Sequence, residues 1–461
     1  MSGIIRYGSY IPYFRLKKSA FGAGRGERAV ASYDEDSVSM AVEAARDALR
    51  GACIPDSLIF ATTSPPYAEK LNSATIAAAL DLPGETRSLE LGACSRMGLS
   101  GLILGLDLAR SGEATLVCAA DVVIGAPGGA RESGSGDAAA VFLTGKNEDS
   151  IAVLKGRASA TTELIDVWRL PGDQFARQWE ERFGADVLSP VMMDAITRAL
   201  KQAGVQASEL NRVIVDSANP RVTAAVPRAM KLTPEQYSNP LQNTVGRSGT
   251  ANIGLQLAFT LDSARPGDLL LLISAVDGCD VLVLEVTENI HAGRPQRTVE
   301  QWLASKSADL DYHSYLKWRG IMPFEPPRRP EPERPAAPAS VRSGRWKMAF
   351  VGGRCQVCDK VNLPAQRVCV KCGAIDKMRE EPYADALGRV ATYTLDHLAY
   401  SLQPPVVAAV VDYEQGGRLS CELTDVKPTD VGIGTELEMT FRRLYTGQGI
   451  HNYFWKARPK R

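Results

Sequence analysis

The stretch Leu89-Glu90-Leu91-Gly92-Ala93-Cys94-Ser95-Arg96-Met97-Gly98 changes character at its centre. Residues 87–91 read as a strand and 97–110 as a helix, with small residues and a single cysteine between them. A cysteine that immediately precedes a helix has its thiolate stabilised by the free N–H groups and the dipole of the first turn. Its pKa falls, and it becomes a nucleophile near neutral pH. Gly92 and Ala93 leave room for a thioester to reach the sulfur. The inert alternative for a lone cysteine is a small core hydrophobe.

Outward from this junction, residues 1–290 alternate short apolar runs with helical patterns, the signature of a layered α/β domain. A helix is expected from Asp34, with Asp34 or Asp36 accepting its free N–H groups and Val38, Ala41, Val42, Ala45 and Leu49 on one face. Strands are expected at 57–62, 115–120, 138–143 and 151–155. A second set has helices at 191–203, 224–230 and 251–261 and strands at 212–215, 269–275 and 281–286. The two sets read as two related layers meeting at a shared surface, and the strand-to-helix junctions are where a site should lie.

Residues 291–344 form a helical and Pro-rich linker, amphipathic over 299–316 and then extended through Pro323-Phe324-Glu325-Pro326-Pro327-Arg328-Arg329-Pro330-Glu331-Pro332. Residues 345–380 carry Cys355-Gln356-Val357-Cys358 and, ten residues on, Cys369-Val370-Lys371-Cys372. Each C-x-x-C knuckle aims two thiolates the same way, and two knuckles close a tetrahedral S4 shell suited to structural Zn2+. Iron in a rubredoxin-like site shares that geometry and is the alternative. Residues 381–461 hold five strand-like runs separated by Gly-rich turns, the pattern of a small β-barrel.

Composition narrows the function classes. The 461 residues amount to about three domains at ~150 residues each. With 53 Lys and Arg against 53 Asp and Glu, no net field draws the chain to nucleic acid or an anionic membrane. No apolar run approaches the ~20 residues of a membrane span. Nor does the start show a secretory signal, so a cytoplasmic protein is expected. The odd total of nine cysteines, five standing alone, argues for reduced thiols.

Residues 7–12, 26–30 and 33–37, the Cys94 junction and Ser135-Gly136-Asp137-Ala138-Ala139-Ala140 together resemble 3-hydroxy-3-methylglutaryl-CoA synthase and, more broadly, the thiolase superfamily that includes ketoacyl-acyl-carrier-protein synthase III. The tail, with Asn452-Tyr453-Phe454-Trp455-Lys456, is similar to the OB-fold zinc-ribbon family, domain of unknown function 35. The resemblance implies a thiolase-like fold over 1–290 followed by a rubredoxin-like zinc ribbon and an OB-type barrel. It implies coenzyme A thioesters as substrates, Cys94 as the acylated nucleophile, a homodimer, and a possible thiolase partner subunit.

The other catalytic positions depart from the family. Asp216 of Val215-Asp216-Ser217-Ala218-Asn219 stands where the resemblance places a histidine, Arg247 at an asparagine and Thr63 at the acid–base glutamate. An ionised carboxylate cannot donate to an oxyanion. Arg247 restores a positive charge, either facing an oxyanion or pairing with Asp216. The four histidines, His291, His313, His397 and His451, all follow the last expected strand of the first domain. The resulting expectation is carbon–carbon bond formation or cleavage through acyl-Cys94. The alternatives are an acyl-CoA-binding scaffold or thiolase partner subunit, and a simple acyltransferase or thioesterase.

Overall fold

The computed structural model describes residues 2–325 and 332–461, so part of the expected Pro-rich linker, 326–331, lies outside the described residues. The chain opens with β1 (Ser2–Tyr10), a ribbon of β2 (Phe14–Lys17) and β3 (Glu27–Val30), α1 (Ser37–Leu49), β4 (Ser57–Ala61), α2 (Ser73–Ala79) and β5 (Arg87–Leu91). Next come α3 (Met97–Arg110), β6 (Thr115–Asp121), α4 (Ala130–Gly134), β7 (Ala138–Lys146), β8 (Ala152–Thr161), β9 (Val167–Trp168), β10 (Arg177–Gln178) and α5 (Glu181–Ala203). The second half adds β11 (Arg212–Ser217), α6 (Pro220–Met230), α7 (Ala251–Ser263), β12 (Leu269–Ala275), β13 (Gly278–Val286), α8 (Val299–Ala304) and α9 (Tyr312–Trp318). After these stand α10 (Ala337–Arg342), α11 (Gly344–Ala349), β14 (Val351–Cys355), β15 (Val361–Asn362) and β16 (Met378–Pro382). The last strands are β17 (Leu387–Asp396), β18 (Val406–Tyr413), β19 (Arg418–Leu423), β20 (Glu436–Gly447) and β21 (Ile450–Pro459).

Contacts divide the described residues into two units. One comprises 2–31, 43–74 and 84–312; the other comprises 32–42, 75–83, 313–325 and 332–461.

In the first unit the strands run β11-β12-β13-β8-β1-β7-β6-β4-β5. The expected two layers are joined into one hydrogen-bonded run, but the join between β1 and β8 is only two register pairs long, Gly3↔Val153 and Ile4↔Ala152. On either side of it the pattern repeats. β1-β7-β6-β4 pair antiparallel, antiparallel, parallel, and so do β8-β13-β12-β11. Helices α3 and α7, which precede the matching strands β6 and β12 of the two halves, meet at their first turns. A Cβ on Gly98 would stand 2.0 Å from the carbonyl oxygen of Thr250, so only glycine permits this approach. It brings two helix N-termini to one place, the end of the sheet that carries Cys94.

Some expectations shift. β1 was not expected, because Gly3, Arg6 and Gly8 break its apolar alternation, yet it lies at the centre of the sheet. Helix α5 starts ten residues before the expected 191, with Pro190 inside it; a proline mid-pattern hides the turns that precede it. The helix expected from Asp34 begins at Ser37, and Asp36 accepts the Ser39 N–H at 2.9 Å. Asp34 and Glu35 take no part in that cap. They are buried in the second unit, where Arg442 pairs with Glu35 and with Asp425 (2.7 Å), and Lys456 reaches Asp34 at 3.1 Å. Residues 337–342, expected as extended linker, and 344–349, at the start of the expected zinc ribbon, are helical.

The second unit contains a three-stranded sheet β15-β14-β16 and a closed barrel β17-β18-β19-β21-β20. Phe441, Tyr453, Trp455 and Phe350 build the aromatic core on the barrel side. Among the described residues no helix is long and apolar enough to cross a membrane.

Candidate active site

Cys94 lies half-buried between β5 and α3, after Ala93, whose φ of 81° is left-handed and strained for a residue with a side chain. Arg96 fastens the turn from behind. Its Nη1 donates to the carbonyls of Ala160 (3.2 Å), Val276 (3.2 Å) and Asp277 (2.9 Å), and its Nε faces Asp280 at 3.5 Å. Burial raises the Cys94 thiol above its ordinary value and the Asp277 charge adds to this. The backbone N–H groups of Arg96 and Met97 act the other way, stabilising the thiolate. Burial wins, so the expected depression of this pKa is corrected: helix-start donors are present, but desolvation outweighs them.

Asp216 is the penultimate residue of β11 and is fully buried. Arg247 holds it with two hydrogen bonds, Nε to Oδ1 at 2.7 Å and Nη2 to Oδ2 at 3.0 Å. Asn252 Nδ2 donates to Oδ1 at 2.8 Å, and the Ser95 hydroxyl lies 3.4 Å from Oδ2. Arg247 Nη2 also donates to Ser95 Oγ at 2.6 Å. Of the two expected roles of Arg247, the geometry shows the pairing with Asp216. A carboxylate so occupied is an acceptor throughout, and it connects β11, α7 and the residue next to Cys94. Asn219, two residues beyond β11, caps α6 through the Arg221 N–H at 3.1 Å and donates to the Glu181 carbonyl.

Thr63 is placed elsewhere in the same end of the unit. Its hydroxyl donates to Asp121 Oδ2 at 3.0 Å and its N–H to Oδ1 at 2.7 Å. Asp121, wholly buried, also accepts from Thr62, Ser64 and both the N–H and hydroxyl of Thr250. The acid in this corner therefore comes from the end of β6. It ties β4 to the start of α7, and the sequence reading did not single it out. Ser95 and Asn252 were missed as well. Adjacency to Cys94 pointed to Ser95, and a polar amide on the buried first turn of α7 pointed to Asn252.

A cavity of about 700 Å3 adjoins this cluster. Asp216, Arg247 and Asn252 line its inner part, with Val167, Pro220 and Tyr237 among its apolar wall. Its volume is in the range of small-molecule sites. His291, the one histidine among the described residues of this unit, is exposed and bonded to Arg294, so none reaches the cluster.

In the second unit the Sγ atoms of Cys355, Cys358, Cys369 and Cys372 lie within 4.8 Å of one another. Cys355–Cys372 and Cys358–Cys369 are 3.7 and 3.6 Å apart, close to the ~3.8 Å edge of a ZnS4 tetrahedron with Zn–S of about 2.3 Å. The Val357 and Lys371 N–H groups donate to Cys355 and Cys369 Sγ, both at 3.4 Å, which orients the thiolates. The donor set fits a closed structural Zn2+ site. His451, at the start of β21, bonds to Thr446 within the barrel.

Comparison with known proteins follows this division. The family model "ChsH2, C-terminal OB-fold domain" matches residues 382–442. Hydroxymethylglutaryl-CoA synthase of Methanocaldococcus jannaschii is 28% identical over 341 residues, covering 69% of this chain and 99% of the relative. The enzyme of that name from Methanothermobacter thermautotrophicus is 29% identical over 343 residues, with the same shares. Among solved structures, 3-oxoacyl-(acyl carrier protein) synthase III of Pseudomonas aeruginosa superimposes with a TM-score of 0.55 at 22% identity, over 62% of this chain and 98% of that one. A hydroxymethylglutaryl-CoA synthase complexed with CoA superimposes at 0.59 and 16% identity, over 68% and 89%. The thiolase-like fold and the C-terminal OB-type barrel expected from the sequence are thus both present.

Proposed function

We propose that the chain is an acyl-CoA C-acyltransferase that carries its acyl group on Cys94. The observation that supports this most is the placing of Cys94. It sits at the start of α3 with two thiolate-directed N–H groups, one residue from the Arg247–Asp216 pair that lines the cavity. Similarity to hydroxymethylglutaryl-CoA synthases over two thirds of the chain supplies the substrate class, a coenzyme A thioester.

The acylation step balances without an outside base. The Cys94 sulfur attacks the thioester carbonyl, the C–S bond to coenzyme A breaks, and the departing thiolate takes the proton that Cys94 gives up. The carbon–carbon step then joins the α-carbon of a second acyl thioester to the acyl carbon: its α C–H bond and the acyl–Sγ bond of Cys94 break, and the freed Cys94 thiolate takes up the α-proton. Asp216 and Arg247 act in this reading as positioning residues, holding Ser95 and the cysteine turn. Thr63 positions the same end of the sheet through Asp121. A structural Zn2+ on Cys355, Cys358, Cys369 and Cys372 supplies folding energy to the second unit. The reading also takes the protein as a cytoplasmic homodimer, with a thiolase subunit as a further partner.

A second reading, a non-catalytic acyl-CoA-binding scaffold, is favoured by the polar groups of the cluster: among the described residues of this unit no histidine reaches it, and the Asp216 carboxylate is fully engaged. Intact-protein mass spectrometry after incubation with short acyl-CoAs decides between them. An acyl adduct on the wild type and none on Cys94→Ala supports the transferase. A folded, zinc-loaded protein that takes up no acyl group from any thioester supports the scaffold. A condensed product from two thioesters then separates carbon–carbon bond formation from simple transfer or hydrolysis.

A further inference from the structure

The cavity contains one charge that the described chain does not balance. Three guanidinium groups line it. Arg247 is taken up by Asp216. Arg177 is largely exposed and faces Asp173 at 3.5 Å. Arg131, in α4, differs from both. Its Nε is shut off from solvent with no hydrogen-bond partner, and among the described residues its guanidinium makes neither a hydrogen bond nor an ion pair.

The surrounding acids are all engaged. Asp121 accepts six hydrogen bonds from Thr62, Thr63, Ser64 and Thr250. Glu132 accepts from the Gly128 N–H and the Tyr312 hydroxyl. Glu181, the other acid in the lining, has Arg221 at 3.8 Å. Burial lowers the Arg131 pKa to about 10, and the like charges of Arg247, Arg169 and Arg28 press in the same direction against Asp121. A half-buried cation with cations for neighbours is unfavourable unless a counter-charge arrives.

We propose that Arg131 receives a carboxylate carried on the acyl chain of the thioester. This rests on the acyl-CoA reading given above. The position favours the acyl group over the phosphates of coenzyme A as the source of the anion. Arg131 is close enough to feel the charge of Arg247, which touches Ser95 beside Cys94. Coenzyme A phosphates are separated from the reacting sulfur by the whole pantetheine arm. The planar guanidinium fork matches a carboxylate with two hydrogen bonds. Pro220, Pro227 and Tyr237 offer apolar wall to the methylenes between.

The test is equilibrium binding, which does not require acylation. Glutaryl-CoA, valeryl-CoA and coenzyme A are titrated calorimetrically into the wild type, Arg131→Gln and Arg131→Lys. The wild type is expected to prefer the glutaryl to the valeryl thioester by about tenfold or more. Arg131→Gln should erase that preference and Arg131→Lys should keep part of it. Equal binding of the two thioesters by the wild type overturns the proposal. So does a uniform loss across all three ligands in Arg131→Gln, which would assign the anion to the phosphates. Free glutarate separates the two levels of argument. If no thioester binds but glutarate does, in an Arg131-dependent way, the acyl-CoA reading fails and the carboxylate site stands. If neither binds, the carboxylate site fails.

Discussion

Cys94 shows how two opposed effects on one group are decided by position. Helix-start donors favour its thiolate and burial opposes it, and the balance raises the pKa. The acylation rate should therefore climb with pH through neutrality and keep climbing past the ordinary thiol value of about 8.5, where an activated cysteine would already have levelled off. A plateau below pH 7 in the single-turnover rate would contradict this. The Arg247–Asp216 pair is a second residue-scale case. Removing the guanidinium leaves a buried carboxylate with only Asn252 and Ser95 as neutral donors, so Arg247→Ala should cost roughly 3 kcal/mol or more. Arg247→Met with Asp216→Leu should recover much of that loss in denaturant titrations. If the single and double variants are equally destabilised, the pair has no special share in stability.

At the scale of elements, the site exists because two helices that precede the matching strands β6 and β12 start at the same point. Gly98 of α3 meets the Thr250 carbonyl of α7, where an added Cβ would come within 2.0 Å. That atom is backbone, which cannot swing away. Gly98→Ala should destabilise by about 2 kcal/mol or more through this overlap, and should also displace the Cys94 turn. A thermal midpoint within a degree of the wild type would show that the helices part without cost. The acidic run Asp34-Glu35-Asp36 is the corresponding element in the second unit. Burial raises the pKa of Asp34, but Lys456 and Arg442 outweigh it and hold the carboxyl below the ordinary value. A depressed carboxyl gives stability that is complete above the unfolded value of about 3.9 and is lost as pH falls through the folded one. Asp34→Asn should therefore lower stability at neutral pH and flatten its fall below pH 4.

The whole molecule interleaves its two units along the chain, since 32–42 and 75–83 group with the C-terminal residues. A chain cut after residue 312 strands Asp34, Glu35 and Asp36 without Arg442, Lys456 and the Tyr453 hydroxyl that meets Asp36 at 2.6 Å. Such a fragment should be recovered in lower folded yield than the full chain. Asp34→Asn with Glu35→Gln should improve the yield of the fragment, while destabilising the full chain. Chelation of the metal should be distinct from both. It should lower the unfolding temperature of the second unit, whose four cysteines would hold it, and the Cys94 adduct should survive in protein that stays folded.

The sequence alone determined what is written in local chemistry: the C-x2-C pairs with their knuckle geometry, the 97–110 helix to its ends, the strand before Cys94, and the five barrel strands. These depend on spacing and on neighbours in the chain. Only the tertiary structure decided the rest. It put the unrecognised β1 at the centre of the sheet, paired Asp216 with an arginine 31 positions away, and made Asp121 the buried acid behind Thr63. It also moved Asp34 and Glu35 from a helix cap to partners some 400 residues on. The reason is common to all four. A charge or hydroxyl in the sequence declares that it needs a partner when buried, but which group is brought within hydrogen-bond reach is fixed by strand order and helix crossing, and these have no local signature.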